Sequence, residues 1–356
     1  MEKVMGVLIE SFEGNGIVNF DDGKRQMRIM NSLKIPGIEY GDVKNDNFKV
    51  GKHNYYVLPS TKEPTDDDNT KYGYKLLVSS DCLRNAIFGN IPSNDIMFNN
   101  YIFAKYLTSE QAICRGYTFV LKDVGQNKSS SSLTITDAEQ IDMNEAINLQ
   151  VNTTNGERNE TSLRYTENIG KKEYHAEGKI ELAKIAFISA STKFDRMAIN
   201  PDMVKSKIFD KALKEHYGDI ANVEKGYFRL KEDNLPISCS EFGFLLNKEL
   251  VNHLVKWMLK RILSLEINRA KATFRVKKLK IKIVNDIFTD TRADDDKWKV
   301  IKTPEDIDRL SLICNDDIWV KVNDKDITDF EAEVEAYKKK LEEVKSSKGK
   351  KKDKDA

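Results

Sequence analysis

Apolar residues in this chain fall into short alternating runs more often than into helical stripes. "GVLIESF" (6–12) reads as a strand that meets the turn-like "EGNG", and "IVNF" then predicts a second short strand. Residues 21–73 scatter small apolar islands, such as Tyr55-Tyr56-Val57-Leu58, among Asp, Asn, Gly and Lys, which predicts long connections with small hairpins. Leu76 to Ser79 extends. Ser80 then caps a short helix that turns Leu83, Ile87 and Phe88 inward and stops at Gly89. Residues 112–122 read as a strand. "SLRYTENIGKKEYHAEGKIELAKIAFISA" reads as a pair of extended segments around Ile169-Gly170, with a phase change near Ala183 that predicts a bulge rather than a helix.

One stretch has a clear helical stripe. In "NKELVNHLVKWMLKRILSLE", Leu250/Val251, Leu254/Val255, Met258/Leu259 and Ile262/Leu263 recur at three and four residues, and Asn247 stands as the N-cap. "LKIKIV" (279–284) then alternates, setting Lys278, Lys280 and Lys282 on one face of a strand. Strands dominate, which predicts an α+β fold with helices on one face of an antiparallel sheet. A boundary is expected near "ADDDKWK", dividing residues 1–292 from a C-terminal extension over 293–356. In that extension "DDIWVKV" is a short strand. A helix over about 328–345 starts at Thr328 with Glu331 as a capping box, and carries a narrow stripe of Phe330, Val334, Tyr337, Leu341 and Val344. "SSKGKKKDKDA" reads as a disordered basic tail.

Composition narrows the chemistry. The 356 residues contain no apolar stretch of membrane-spanning length, and the start lacks a signal-peptide core, so a cytoplasmic protein is expected. Cys82, Cys114, Cys239 and Cys314 are far apart and form no pair with metal or redox spacing. No phosphate-cradling loop, dinucleotide fingerprint, nucleophile elbow or metalloprotease motif occurs. His53, His175, His216 and His253 stand alone, and Asp294 to Asp296 lack calcium-loop spacing. No cofactor, metal or catalytic set is expected. The net charge of +1 conceals segregation, with Lys and Arg gathered at 24–28, 269–282 and 348–354.

Several segments set cations beside aromatic residues at strand ends. "CRGYTF" puts Arg115 and Tyr117 on one face of a strand, and "SLRYTEN" sets Arg164 beside Tyr165. "STKFDRM" flanks Phe194 with Lys193 and Arg196, "INRAKATFRVKK" carries Arg269, Lys271 and Arg275, and Arg84 lies on the short helix. Cations that track phosphates and flat groups that stack on unpaired bases hold single-stranded nucleic acid in this way. Each feature also has a plain structural reading: a lysine-lined strand is commonly a solvent face or a protected edge, and Arg164 could pair with a glutamate.

Taken in order, "GNGIVNF", "LLVSSDCLRNAIFGN", "AICRGYTFV", "SSSSLTITDA", "TSLRYTENIG", "KIELAKIAFISASTKFDRMA" and "FLLNKELVNHLVKWMLKRILSLEINRAKATF" resemble the Cas-seven backbone subunit of type I CRISPR Cascade, with most likeness to the variant type I-F (I-Fv) form. The resemblance runs from about residue 3 to about 285, and no single motif in it is catalytic. It implies a RAMP-superfamily protein with a ferredoxin-like (RRM-like) palm, large insertions and a β-finger thumb, placed at about 123–160. Such subunits stack head to tail along a CRISPR guide RNA (crRNA) without selecting sequence. Target DNA is read by guide pairing, and Cas-five-like and repeat-cleaving Cas-six-like subunits complete the complex. The resemblance further implies RNA contacts at Arg84, Arg115, Lys128, Lys193, Arg196, Arg269 and Lys271, and the pairing of cations with aromatic residues adds Tyr117 and Arg164. It also implies a flexible bend at the serine run of "GQNKSSSSLTIT". Two alternatives remain. One is a metal-dependent endoribonuclease of the same superfamily using a loop aspartate, with Asp21, Asp22 and Asp137 as candidates by type. The other is a single-stranded RNA-binding module outside CRISPR.

Overall fold

The computed structural model describes residues 6–16, 47–50, 53–56, 77–121, 125–140, 148–153, 164–169, 172–192, 197–231, 239–269, 272–284, 298–310 and 318–352. Every strand pairing among them is antiparallel. With the helices, this is the α+β class expected from the apolar pattern.

The larger sheet is built around β1 (Gly6–Gly16). On one side β1 pairs with β17 (Ala272–Val284), which also carries β16 (Glu266–Arg269) and β18 (Lys299–Ile301). On the other side it pairs with β11 (Lys172–His175) and β12 (Gly178–Glu181), two halves of one course. These face β8 (Ala138–Gln140) and β7 (Leu133–Ile135), and β4 (Leu77–Val78) closes that edge on β8. The central order is therefore β17-β1-β12-β7. Thr136 and Glu177 exchange hydrogen bonds at the break between the half-strands, which keeps the ladder continuous. The smaller sheet has the order β13 (Phe187–Ser189), β15 (Glu241–Leu246), β14 (Val223–Leu230), β19 (Trp319–Lys321). Three two-stranded ribbons complete the strands: β2 (Asn47–Val50) with β3 (His53–Tyr56), β5 (Tyr117–Leu121) with β6 (Gly125–Ser129), and β9 (Asn148–Thr153) with β10 (Arg164–Ile169).

Helices α1 (Ser80–Phe88), α2 (Asn100–Leu107) and α3 (Glu110–Arg115) precede the first ribbon of the core. The single turn α4 (Leu182–Ala186) leads from β12 into β13, and a second turn α5 (Pro201–Lys205) and α6 (Ile208–Tyr217) lie between β13 and β14 in sequence. The long α7 (Lys248–Leu263) packs on β17, α1, α3 and α4. α8 (Pro304–Asp308) and α9 (Ile327–Lys352) follow. The α7 stripe is as expected: Leu250, Val251, Leu254, Val255, Met258, Leu259 and Ile262 are all buried, each contributing roughly 1.5–3 kcal/mol of gross apolar transfer. Leu279 and Ile281 of β17 are buried opposite them, so the alternation of "LKIKIV" does select the core face.

Several local readings are corrected. Residues 112–122 are not one strand, because Ala112, Ile113, Cys114 and Arg115 belong to α3, the first three buried and the helix packed on α7. Ser109 caps that helix, and Gly116 at φ +74° ends it before β5 begins. The phase change near Ala183 is a helical turn, with Leu182, Ile185 and Ala186 buried at helical spacing, not a bulge. "EGNG" ends β1 rather than turning, and the register shifts there between Glu13 and Gly14. β10 pairs with β9 and not with the segment after Gly170. Ser79, one residue earlier than expected, caps α1 by accepting from the Cys82 amide at 3.3 Å. "IVNF" and the linker near 293 lie outside the described residues.

The serine run is the largest correction. Ser132 is fully buried, and its amide and hydroxyl both donate to the Cys114 carbonyl, at 3.1 and 3.0 Å. Its own carbonyl accepts from Glu181 at 2.9 Å. A Cβ on Gly116 would stand 2.7 Å from the Ser131 nitrogen. The run is the crossing between β6 and β7, and its last serine is locked into the core by these bonds rather than left as a flexible hinge. Serine suits it because a short hydroxyl chain can bond backbone where no larger side chain fits.

After residue 293, β18 pairs with β17 and β19 pairs with β14, so the segment adds a strand to each sheet. The capping box of α9 is formed by Asp326 and Asp329, each accepting from the other's amide, and not by Thr328 and Glu331. Phe330 and Val334 are buried, and Phe330 stacks on Phe242 with centroids 4.1 Å apart. The helix runs to Lys352, through most of the stretch expected to be disordered.

Candidate nucleic-acid interface

The C-terminal end of α1 gathers the best-formed cationic cluster. Arg115, the last residue of α3, donates from Nη1 to the Gly89 carbonyl and from Nη2 to Asn85 Oδ1 at 2.8 Å. Arg84 sits on α1 itself and donates from Nη2 to the Arg115 carbonyl at 3.4 Å. Two elements distant in sequence thus bring both guanidiniums to one place, and the Gly116 turn fixes where α3 ends. Burial holds Arg115 below the ordinary guanidinium value; the Arg84 charge adds to this, and the Tyr106 phenol opposes it. Among the described residues neither arginine has a carboxylate within ion-pair distance. Two adjacent cations without a counter-charge are favoured by an anion, and the guanidinium fork fits phosphate.

The other expected contacts divide. Tyr117 is corrected: it is buried, and its hydroxyl donates to the Ala198 carbonyl at 2.9 Å, so its ring cannot stack on a base. The helix end between Arg115 and Tyr117 also removes the shared strand face expected for them. Lys128 is exposed on β6, the ribbon strand next to the serine run, and its amide bonds Met197 at 2.8 Å. Arg164 begins β10 and Arg269 ends β16, with their side chains outside the described residues. Lys193, Arg196 and Lys271 lie wholly outside the described residues. The structure therefore brings together Arg84 and Arg115 only. Arg275, quoted beside Arg269, pairs with Glu266 at 2.6 Å.

The lysine-lined face of β17 is not simply solvent. Lys282 is buried, and Lys280 and Lys282 lie 5.4 and 5.7 Å from the centroid of Trp298, which folds back over them. Asp137 has a structural role, accepting from the Ser80 amide at 2.6 Å at the start of α1. Asp21 and Asp22 lie outside the described residues. His216 and His253 do not stand alone, because they approach the two oxygens of Glu110 at 3.0 and 3.4 Å. No group of His, Cys, Asp or Glu among the described residues is arranged to hold a metal ion. No described helix is long and apolar enough to cross a membrane.

A family model described as type I-Fv CRISPR-associated protein Cas7fv-like matches residues 5–307. The chain belongs to that family. It is accordingly a Cas7-type CRISPR effector subunit. No curated protein matches the sequence. The Cas7fv-like match covers both sheets up to α8 and includes the arginine cluster, whereas β19 and α9 follow it. The sequence pattern alone does not single out Arg261, whose Nε donates to the Ile87 carbonyl at 2.8 Å near the same end of α1. It lies on the polar side of the most regular helix, where no local cue separates a functional arginine from a solvated one.

Proposed function

We propose that the chain binds CRISPR guide RNA without sequence preference, as the repeated backbone subunit of a type I-F-like Cascade ribonucleoprotein. Family membership supports this reading, and the observation that carries it to RNA is the Arg84–Arg115 pair, two oriented guanidiniums without a carboxylate partner. The order β17-β1-β12-β7, with α1 and α7 in the two crossovers, supports a ferredoxin-like palm. The finger that would reach along the guide is the β9–β10 ribbon, which pairs with no other strand among the described residues, in place of the serine run. Target DNA then engages through guide pairing, and the partners are further copies of the chain together with Cas-five-like and Cas-six-like subunits.

The subunit is proposed to be non-catalytic. Asp137, the described member of the three candidate aspartates, holds the start of α1. Co-expression with the CRISPR array and the operon partners tests the proposal. Purified complex should contain RNA of guide length, released as salt rises. Complex that assembles yet carries no RNA at low salt would overturn it. Labelled target RNA incubated with the complex and magnesium should remain intact, and regular cuts lost on Asp137→Ala would favour the endoribonuclease reading.

A further inference from the structure

Arg261 in the last turn of α7 reaches the same helix end as Arg84 and Arg115. Its Nε donates to the Ile87 carbonyl at 2.8 Å, and its guanidinium carbon lies 6.0 Å from the centroid of half-buried Trp257. Trp257 in turn stacks on buried Phe88 of α1, with centroids 6.2 Å apart. The guanidinium is thus held in position from two sides while the residue stays exposed. An arginine has five N–H donors, and only the Nε donor is engaged among the described residues.

Capping a helix end is the ordinary use of such a residue, since the terminal carbonyls carry about half a negative charge. One cation meets that need. Three cations serve two helix ends here: Arg261 and Arg115 on the Ile87 and Gly89 carbonyls at the end of α1, and Arg84 on the Arg115 carbonyl at the end of α3; none has a carboxylate within ion-pair distance among the described residues. The two Nη groups of Arg261 form the edge that binds phosphate in bidentate fashion, and a guanidinium already fixed by Trp257 and Ile87 loses little freedom on binding.

We propose that Arg261, braced on Trp257, is a phosphodiester contact for single-stranded RNA, adjoining the Arg84–Arg115 pair at the end of α1. This rests on the reading of the chain as a guide-RNA binder. The test is fluorescence anisotropy of the full-length protein with a labelled, unstructured oligouridylate over a range of salt, with melting temperature recorded for each variant. Arg261→Gln should weaken binding about tenfold at low salt and reduce the slope of log affinity against log salt by about 0.7. Lys214→Gln, which removes an exposed cation from α6, should leave the slope unchanged. Wild-type binding with an unaltered slope in Arg261→Gln overturns the proposal and leaves the proposed function standing. No binding by the wild type at low salt overturns both. If Arg261→Gln also lowers the melting temperature, Arg261→Lys decides. It keeps the charge and a donor for Ile87 but not the fork, and RNA affinity equal to wild type would then mean a structural cap alone.

Discussion

The hydroxyl of Ser132 donates to the carbonyl oxygen of Cys114 at 3.0 Å inside the core. That bond ties the serine crossing to the end of α3, and so to the backbone that aims Arg115. Gly116 lies between these features with φ +74° and ψ 167°, a conformation almost confined to glycine. Gly116→Ala should therefore destabilise the protein by at least about 2 kcal/mol, from backbone strain together with the clash against the serine backbone. Urea denaturation measures this, and an unchanged midpoint would mean that the crossing can shift freely.

Deleting 126–136 should prevent folding. The deletion removes buried Asn127, Ser132, Leu133 and Ile135 and the whole of β7, which pairs with β12. Near-ultraviolet circular dichroism should show tertiary signal lost. Replacing 148–169 by a short Gly-Ser linker should instead preserve that signal, because β9 and β10 pair only with each other among the described residues. In complexes the same replacement should weaken assembly along the guide.

Tyr117→Phe should cost only about 0.5–1.5 kcal/mol and leave RNA affinity unchanged. The Ala198 carbonyl keeps a second donor, Asn127 Nδ2, at 3.1 Å. A large loss of RNA binding with intact stability would restore Tyr117 as a contact.

Phe330→Ala should destabilise by about 3–5 kcal/mol, the usual cost of removing a buried aromatic ring. Its stack on Phe242 at 4.1 Å makes the start of α9 part of the smaller sheet's core. Thermal unfolding should show one transition that moves as a whole. A low-temperature step confined to the C-terminal segment would instead mean that α9 is only loosely attached.

Acid should weaken one helix junction. Burial would raise the Glu110 carboxyl, but its own backbone amide and the His216 and His253 side chains outweigh this and hold it below the ordinary value. A depressed folded-state carboxylate stabilises above its unfolded value, and that contribution is lost as pH falls through the folded one. The stability difference between wild type and Glu110→Gln should be about 1 kcal/mol near neutrality and shrink below about pH 4. Urea midpoints across pH 3–7 check the sign.

The sequence alone determined what local periodicity can determine. The α7 stripe, the core face of β17 and the α+β class follow from spacings of two, three and four residues, and the stop of α1 follows from Gly89. The family likeness followed from the order of such segments. Only the tertiary structure decided what distant segments do together. Ser129 to Ser132 look flexible as a string of small polar residues, yet packing turns the Ser131 and Ser132 hydroxyls and the Ser132 amide onto the Cys114 carbonyl. Tyr117 looks like a stacking ring until Phe103 and Phe119 build the core around it. Arg261 and Arg115 are far apart in the chain and bond carbonyls two residues apart, of Ile87 and Gly89, because α1 ends where α3 and α7 both reach it. Periodicity reports which side of an element is apolar. It carries no information on which carbonyl, ring or charge another element will bring to the polar side, because that depends on how the packed cores orient the elements that bear them.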